Sequence, residues 1–299
     1  MRIGVVLLPQ DRWAVARDRW RRAEEYGFDH AWTYDHLAWR SLADEPWFAT
    51  VPLLAAAATV TERIRLGTWV ASPNFRHPVP FAKDVMGLDD VSEGRFVLGV
   101  GAGGQGYDAE VLGPPPTAAE RVARFAEFVD LLDELLTRPV TDRAGARYTA
   151  RGARMVPGCV QQPRVPFVVA ANGPRAMRVA ARHGQGWATV GPALGPDAGD
   201  GRPAWEAWWG GLGGLVARFE EVAREAGRDP ATIDRYLNVD AAPRFSLGSA
   251  DLFAECVERA RELGFTDVVA HWPRRSGVYA GDEAVLEEVA GRLPALRSG

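Results

Sequence analysis

Eight apolar runs with strand character recur along the chain, at residues 3–8, 31–34, 64–70, 96–100, 167–171, 187–190, 233–239 and 268–271, and helical patterns separate nearly all of them. Most are continuously hydrophobic, the pattern of parallel strands buried on both faces. The segments between them carry helix start and stop signals. Asp11 precedes Trp13, Ala16, Trp20 and Ala23 at helical spacing, with Gly27 as the stop. Thr117 and Glu120 spell a capping box ahead of Val122, Phe125, Val129, Leu132 and Leu136. Ser249 precedes Leu252, Cys256, Ala260 and Leu263, and Asp282 precedes Val285, Val289 and Leu293. Eight strand–helix units in 299 residues fit an α/β protein of the (β/α)8 barrel type, typically about 250 residues before loop insertions. An open doubly wound sheet is the alternative. The barrel is preferred because the glycine-rich stretch follows the fourth run, whereas a dinucleotide fold places it after the first. One domain spanning 1–299 is expected, with irregular stretches at 73–80, 140–166 and 191–203. The last of these holds four Gly and three Pro and is a candidate lid.

Composition removes several classes of function. No window approaches the roughly 18 uncharged apolar residues of a membrane span. The opening Met1-Arg2-Ile3-Gly4 lacks the long apolar core of a signal peptide, so a cytoplasmic location is expected. Cys159 and Cys256 are isolated, unlike a disulfide scaffold or a CxxC metal pair, and read as reduced packing residues. With a net charge of −4 and arginines scattered among acids, no basic face exists for nucleic acid. Of 35 basic residues only Lys83 is lysine. A GxxxxGK[ST] phosphate loop is therefore absent, and Schiff-base chemistry would have to use Lys83, within a helical run after Pro78 and Pro80.

In a barrel the reacting groups gather at the C-terminal ends of the strands. Asp35-His36 closes the second run and suggests a general acid–base site, though such a pair is also a common structural feature. Gly67 within the third run marks a bulge or a close approach by a ligand. The fourth run passes into Gly99-Val100-Gly101-Ala102-Gly103-Gly104-Gln105-Gly106, where backbone N–H groups are able to approach an anion. After the fifth run, Ala171-Asn172-Gly173-Pro174 opens a helix with N–H groups to spare. Two anion-competent turns on neighbouring strands imply a phosphorylated ligand. Histidines 30, 36, 77, 183 and 271 form no HxH or HExxH, so a metal is not expected. A metal-dependent hydrolase or isomerase barrel, built from Asp35, His36, His271 and a further carboxylate, and a non-catalytic ligand-binding protein remain the readings from other classes.

In order and in register, these motifs resemble the bacterial luciferase-like family of flavin- and deazaflavin-dependent oxidoreductases. The matching pieces are Glu24 to Asp29 leading to Trp32-Thr33-Tyr34-Asp35-His36, Ile64 to Thr68 with Phe75-Arg76-His77-Pro78, Leu88 to Arg95, Leu98 to Gly103, Arg175 to Trp187, and Val268 to Pro273. The resemblance implies a homodimeric (β/α)8 barrel holding coenzyme F420 or FMN at the C-terminal rim. It implies a non-proline cis peptide at Trp69–Val70 against the ring, and a coenzyme phosphate received at Ala102, Gly103, Asn172 and Gly173, beside Ala171. Asp35, His36 and Ser72 would line the ring or its tail. The reaction implied is hydride transfer between the ring and a small organic substrate, with His36 exchanging a proton and Asp35 orienting it or contacting the cofactor. The pattern looks more like the F420-using branch. An FMN-dependent monooxygenase using oxygen is the alternative. Sugar-phosphate dehydrogenase members carry a carboxylate just after the strand-four glycines, where this chain has Gly104 and Gln105, so glucose 6-phosphate oxidation is not expected. Trp39, Trp47 and Trp69 would wall the substrate pocket.

Overall fold

A computed structural model describes residues 1–195 and 199–298. Eight parallel strands close into a barrel in the order β1-β10-β9-β8-β7-β4-β3-β2. They are β1 (Arg2–Val6), β2 (His30–Thr33), β3 (Arg65–Thr68), β4 (Phe96–Gly101), β7 (Phe167–Ala170), β8 (Gly186–Thr189), β9 (Asp234–Asn238) and β10 (Asp267–His271), each within an expected run or within two residues of it. The expectation of irregular chain at 140–166 is corrected. β5 (Val140–Ala144) and β6 (Thr149–Arg154) form an antiparallel hairpin there, outside the barrel. Its exposed positions include Asp142, Thr149, Arg151 and Arg154, so no apolar run announced it.

The helices are α1 (Trp13–Glu25), α2 (Thr50–Ala58), α3 (Pro78–Val91), α4 (Tyr107–Glu110), α5 (Ala118–Thr137), α6 (Pro174–His183), α7 (Arg202–Glu225), α8 (Ala250–Glu262) and α9 (Glu283–Ser298). The capping box Thr117/Glu120 closes as read, and Ser249 accepts from the Leu252 N–H. Asp11 does not cap α1. The N-cap is Arg12, without a side-chain bond, and Asp11 pairs instead with Arg19. An ion pair with the next helical turn competes for the same carboxylate. Among the described residues no helix is long and apolar enough to cross a membrane.

Two cores result. The outer one lies between barrel and helices, where Trp187 stacks on Phe219 of α7 at 4.3 Å. The inner one fills the barrel with Trp32, Trp69 and Tyr236 among smaller residues. Gly67 makes room for this layer, since a Cβ there would stand 2.4 Å from the Trp32 ring. Below, the N-terminal end is sealed by ions. Asp267 accepts from Arg2 at 2.7 and 2.8 Å and from His30 at 3.0 Å, while Trp32 donates to the other His30 nitrogen at 2.6 Å. Burial alone would raise the Asp267 carboxyl, but these bonds outweigh it and hold it below its usual range.

Candidate active site

The chemistry-bearing residues leave the barrel at its opposite end. A cavity of about 1780 Å³ opens on the C-terminal rim, walled by the segments that follow β2, β3, β4, β7, β8 and β9. His36, Trp69, Val70, Ser72, Ala102, Gly103, Ala171, Asn172 and Gly173 all line it. The peptide bond between Trp69 and Val70 is cis, as the resemblance implied. Of the candidate lid, residues 191–195 and Gly199 line the same space, and residues 196–198 lie outside the described residues.

Asp35 is a correction. It faces away from the cavity into a bidentate pair with Arg76, at 2.5 and 2.6 Å, and is 1% exposed. Both Asp35 oxygens are taken by Arg76, so the sequence neighbours Asp35 and His36 do not pair with one another. The partner of His36 is Asp108 of α4, whose Oδ2 lies 2.5 Å from Nδ1 and whose Oδ1 accepts from the Leu37 N–H at 2.8 Å. A carboxylate on Nδ1 fixes the proton there and leaves Nε2 as the free acceptor of the neutral ring. Trp47 is a second correction. It lies outside the cavity lining and donates to the His36 carbonyl at 2.8 Å, bracing the histidine from behind. Trp39 and Trp69 are wall residues.

The glycine turns are shaped for a ligand. Gly103, at φ +75°, packs so closely on Asn74 that a Cβ would come within 2.7 Å of it. Gly104, Gly106 and Gly173 are the reverse, with no atom within 4 Å of the Cβ position, so the backbone there is bare to the cavity side. Asn172 holds the second turn open. Its Nδ2 donates to the Gly191 carbonyl at 2.6 Å and its Oδ1 accepts from Thr189 at 2.7 Å. Sequence reading missed Arg121, in the first turns of α5. It lines the cavity, and its Nη1 is buried with no hydrogen-bond partner among the described residues. Among those residues no cluster of three or more His, Cys, Asp or Glu is placed to hold a metal ion.

A closed parallel barrel whose His36–Asp108 pair and bare turns meet at the C-terminal rim has the build of an enzyme of the (β/α)8 class. This chain belongs to the luciferase-like monooxygenase family, whose sequence profile matches residues 1–263, and it is an oxidoreductase. It is 34% identical to an F420-dependent glucose-6-phosphate dehydrogenase of Beutenbergia cavernae, over 92% of this chain and 91% of that one. It is 30% identical to 4-hydroxyprotoasukamycin monooxygenase of Streptomyces nodosus subsp. asukaensis, over 86% of this chain and 62% of the other. Among solved structures, an F420-dependent secondary alcohol dehydrogenase in complex with an F420-acetone adduct superposes with a TM-score of 0.80 at 20% identity, covering 99% of both chains.

Proposed function

We propose that the chain uses coenzyme F420, or failing that FMN, to move a hydride to or from a small organic compound bound beside His36. The observation that carries this reading is the meeting, in one cavity, of the His36–Asp108 pair with two bare glycine turns and the unpartnered Arg121 nitrogen. A phosphate-bearing ring compound fits that set. The turns at Ala102–Gly104 and Asn172–Gly173 and the Arg121 guanidinium would hold its phosphate, and Trp69, Val70 and Ser72 would lie against the rest. The bound ring supplies hydride chemistry that no side chain here is able to perform.

The residues do the remaining work. Asp108 holds His36 in one tautomer, so that Nε2 takes a proton from the bound compound or returns it. Trp69 and the aromatic layer beneath it keep water from the floor of the cavity. Tyr34, Trp39 and Trp69 suit an apolar or aromatic hydroxyl or carbonyl compound. Gly104 and Gln105 stand where the sugar-phosphate enzymes carry a carboxylate, so we place glucose 6-phosphate behind such compounds as substrate. A homodimer completes the proposal, on the strength of the family resemblance.

Fluorescence titration of purified protein with F420 and with FMN tests the reading. Saturable quenching by one of them is expected, F420 first, followed by turnover without oxygen uptake. Quenching by neither refutes it, and oxygen consumption with FMN replaces it with a monooxygenase.

A further inference from the structure

A second set of titratable side chains reaches the same cavity and has no task in the reaction described above. His271, at the end of β10, and Asp240, just beyond β9, have fully buried side chains. Asp240 Oδ2 accepts from the His271 backbone N–H at 2.5 Å and lies 2.9 Å from Nδ1, while Oδ1 accepts from the Ser246 N–H at 2.9 Å. A carboxylate on Nδ1 keeps the ring proton there and makes Nε2 an acceptor. Nε2 lies 2.8 Å from the Tyr34 hydroxyl, which lies 2.9 Å from the Tyr279 hydroxyl. Each acceptor then dictates the next donor: Tyr34 donates to Nε2, and Tyr279 donates to Tyr34. The remaining lone pairs on Tyr279 are left for an occupant of the cavity, which both tyrosines line.

The geometry is held firmly. The His271 ring stacks on Tyr279 at 3.7 Å and meets Tyr34 edge-on at 5.5 Å. Tyr279 sits at φ +61°, a conformation that costs a non-glycine residue free energy and is kept where surroundings impose it. Burial raises both phenols above their ordinary range, against the opposing charge of Arg40, so each keeps its proton at neutral pH.

We propose that Tyr279 is a second proton-handling group of this cavity, touching the oxygen of a bound hydroxyl or carbonyl compound, with Tyr34, His271 and Asp240 as positioning residues that carry its proton away and return it. This rests on the oxidoreductase reading. As hydride leaves the carbon of a bound alcohol for the flavin-class acceptor, the hydroxyl proton passes to Tyr279. The Tyr279 proton passes to Tyr34, and the Tyr34 proton to Nε2. The electron pair of the broken O–H bond stays on the ligand and becomes the second bond of a carbonyl. The imidazolium formed is held by Asp240, and reduction of a carbonyl runs the same chain backwards. The cavity thus has two protic arms, His36 with Asp108 and Tyr279 with its chain.

Two measurements on purified protein test this. In ¹⁵N-histidine NMR, with His271 assigned by its absence in His271→Gln, a neutral ring protonated on Nδ1 at pH 7 is expected, and Tyr34→Phe should shift the Nε2 resonance. The second uses 4-nitrophenol at pH 6, an aryl hydroxyl compound whose absorption moves to longer wavelength when its O–H donates a hydrogen bond, as it would to the free lone pairs of Tyr279. A red shift on binding is expected, with Tyr279→Phe abolishing it and weakening binding roughly two- to tenfold. A proton on Nε2 at pH 7, no red shift with the native protein, or an unchanged shift in Tyr279→Phe overturns the proposal. Failure of the cofactor titration with these signals intact would remove the oxidoreductase reading and leave the hydrogen-bond chain standing.

Discussion

Replacing Asp108 with Asn keeps the shape of the side chain and removes one charge from the His36 pair. The Leu37 N–H at 2.8 Å requires an acceptor at Oδ1, so the new amide must put its oxygen there and its NH2 towards His36 Nδ1. Nδ1 then has to offer a lone pair. The ring proton moves to Nε2, and the histidine is no longer able to accept a proton from the cavity. A charge-assisted hydrogen bond contributes about 1.5–3 kcal/mol, equivalent to roughly 10- to 100-fold, and loss of a general acid–base group costs about 10²- to 10⁴-fold. Turnover in Asp108→Asn should therefore fall at least ~100-fold. Cofactor affinity should stay within about twofold, because the bonds that Oδ1 accepts from the Leu37 and Ala38 N–H groups and the glycine turns are untouched. The assay pairs anaerobic single-turnover absorbance of the ring, using whichever alcohol or ketone the native enzyme accepts, with a fluorescence titration of cofactor binding. His36→Ala should reproduce the same split. Native turnover in Asp108→Asn, with NMR showing the proton moved to Nε2, would refute the assignment of His36 as the proton carrier.

Arg121→Gln should weaken F420 or FMN binding roughly tenfold by fluorescence titration, since one charged donor to the phosphate is lost; unchanged affinity would place the anion elsewhere. Gly67→Ala forces a methyl to within 2.4 Å of the Trp32 ring and should lower stability by about 1–3 kcal/mol in urea unfolding, whereas a neutral result would mean the barrel layer is loosely packed. Burial pulls the His183 imidazole down, but bonds to Asp130 and Asp133 outweigh it and leave its pKa raised. Its contribution to stability is full below the ordinary histidine value and lost as pH rises through the raised one. His183→Gln should accordingly flatten the fall in urea midpoint between pH 6 and pH 8, and an equally steep fall would assign it to other groups.

Most of the barrel strands were legible because a strand buried on both faces is largely apolar, and the run at 96–100 falls within β4 (Phe96–Gly101), buried at every position. The hairpin at 140–154 obeys no such demand, being packed on one side only. Turns were legible through glycine and the helix starts through Thr117 and Ser249, where local chemistry decides the outcome. Pairings across the chain were not. Asp108 reaches His36 over 72 residues from a four-residue helix, and the Asp35–His36 adjacency suggested a partnership that Arg76 pre-empts by holding both Asp35 oxygens. The link from Tyr34 to Tyr279 and His271 spans more than two hundred residues and has no signature in spacing at all.

The packed indole layer and the ionic seal below it have a kinetic corollary. A barrel stoppered at one end is a cul-de-sac, with the same doorway serving arrival and departure. A large occupant lodged against the Trp69–Val70 segment must then be first in and last out, and the smaller reactant comes and goes above it. The order of addition, not only the affinity, is thereby set by a plug on the far side of the protein from any reacting atom.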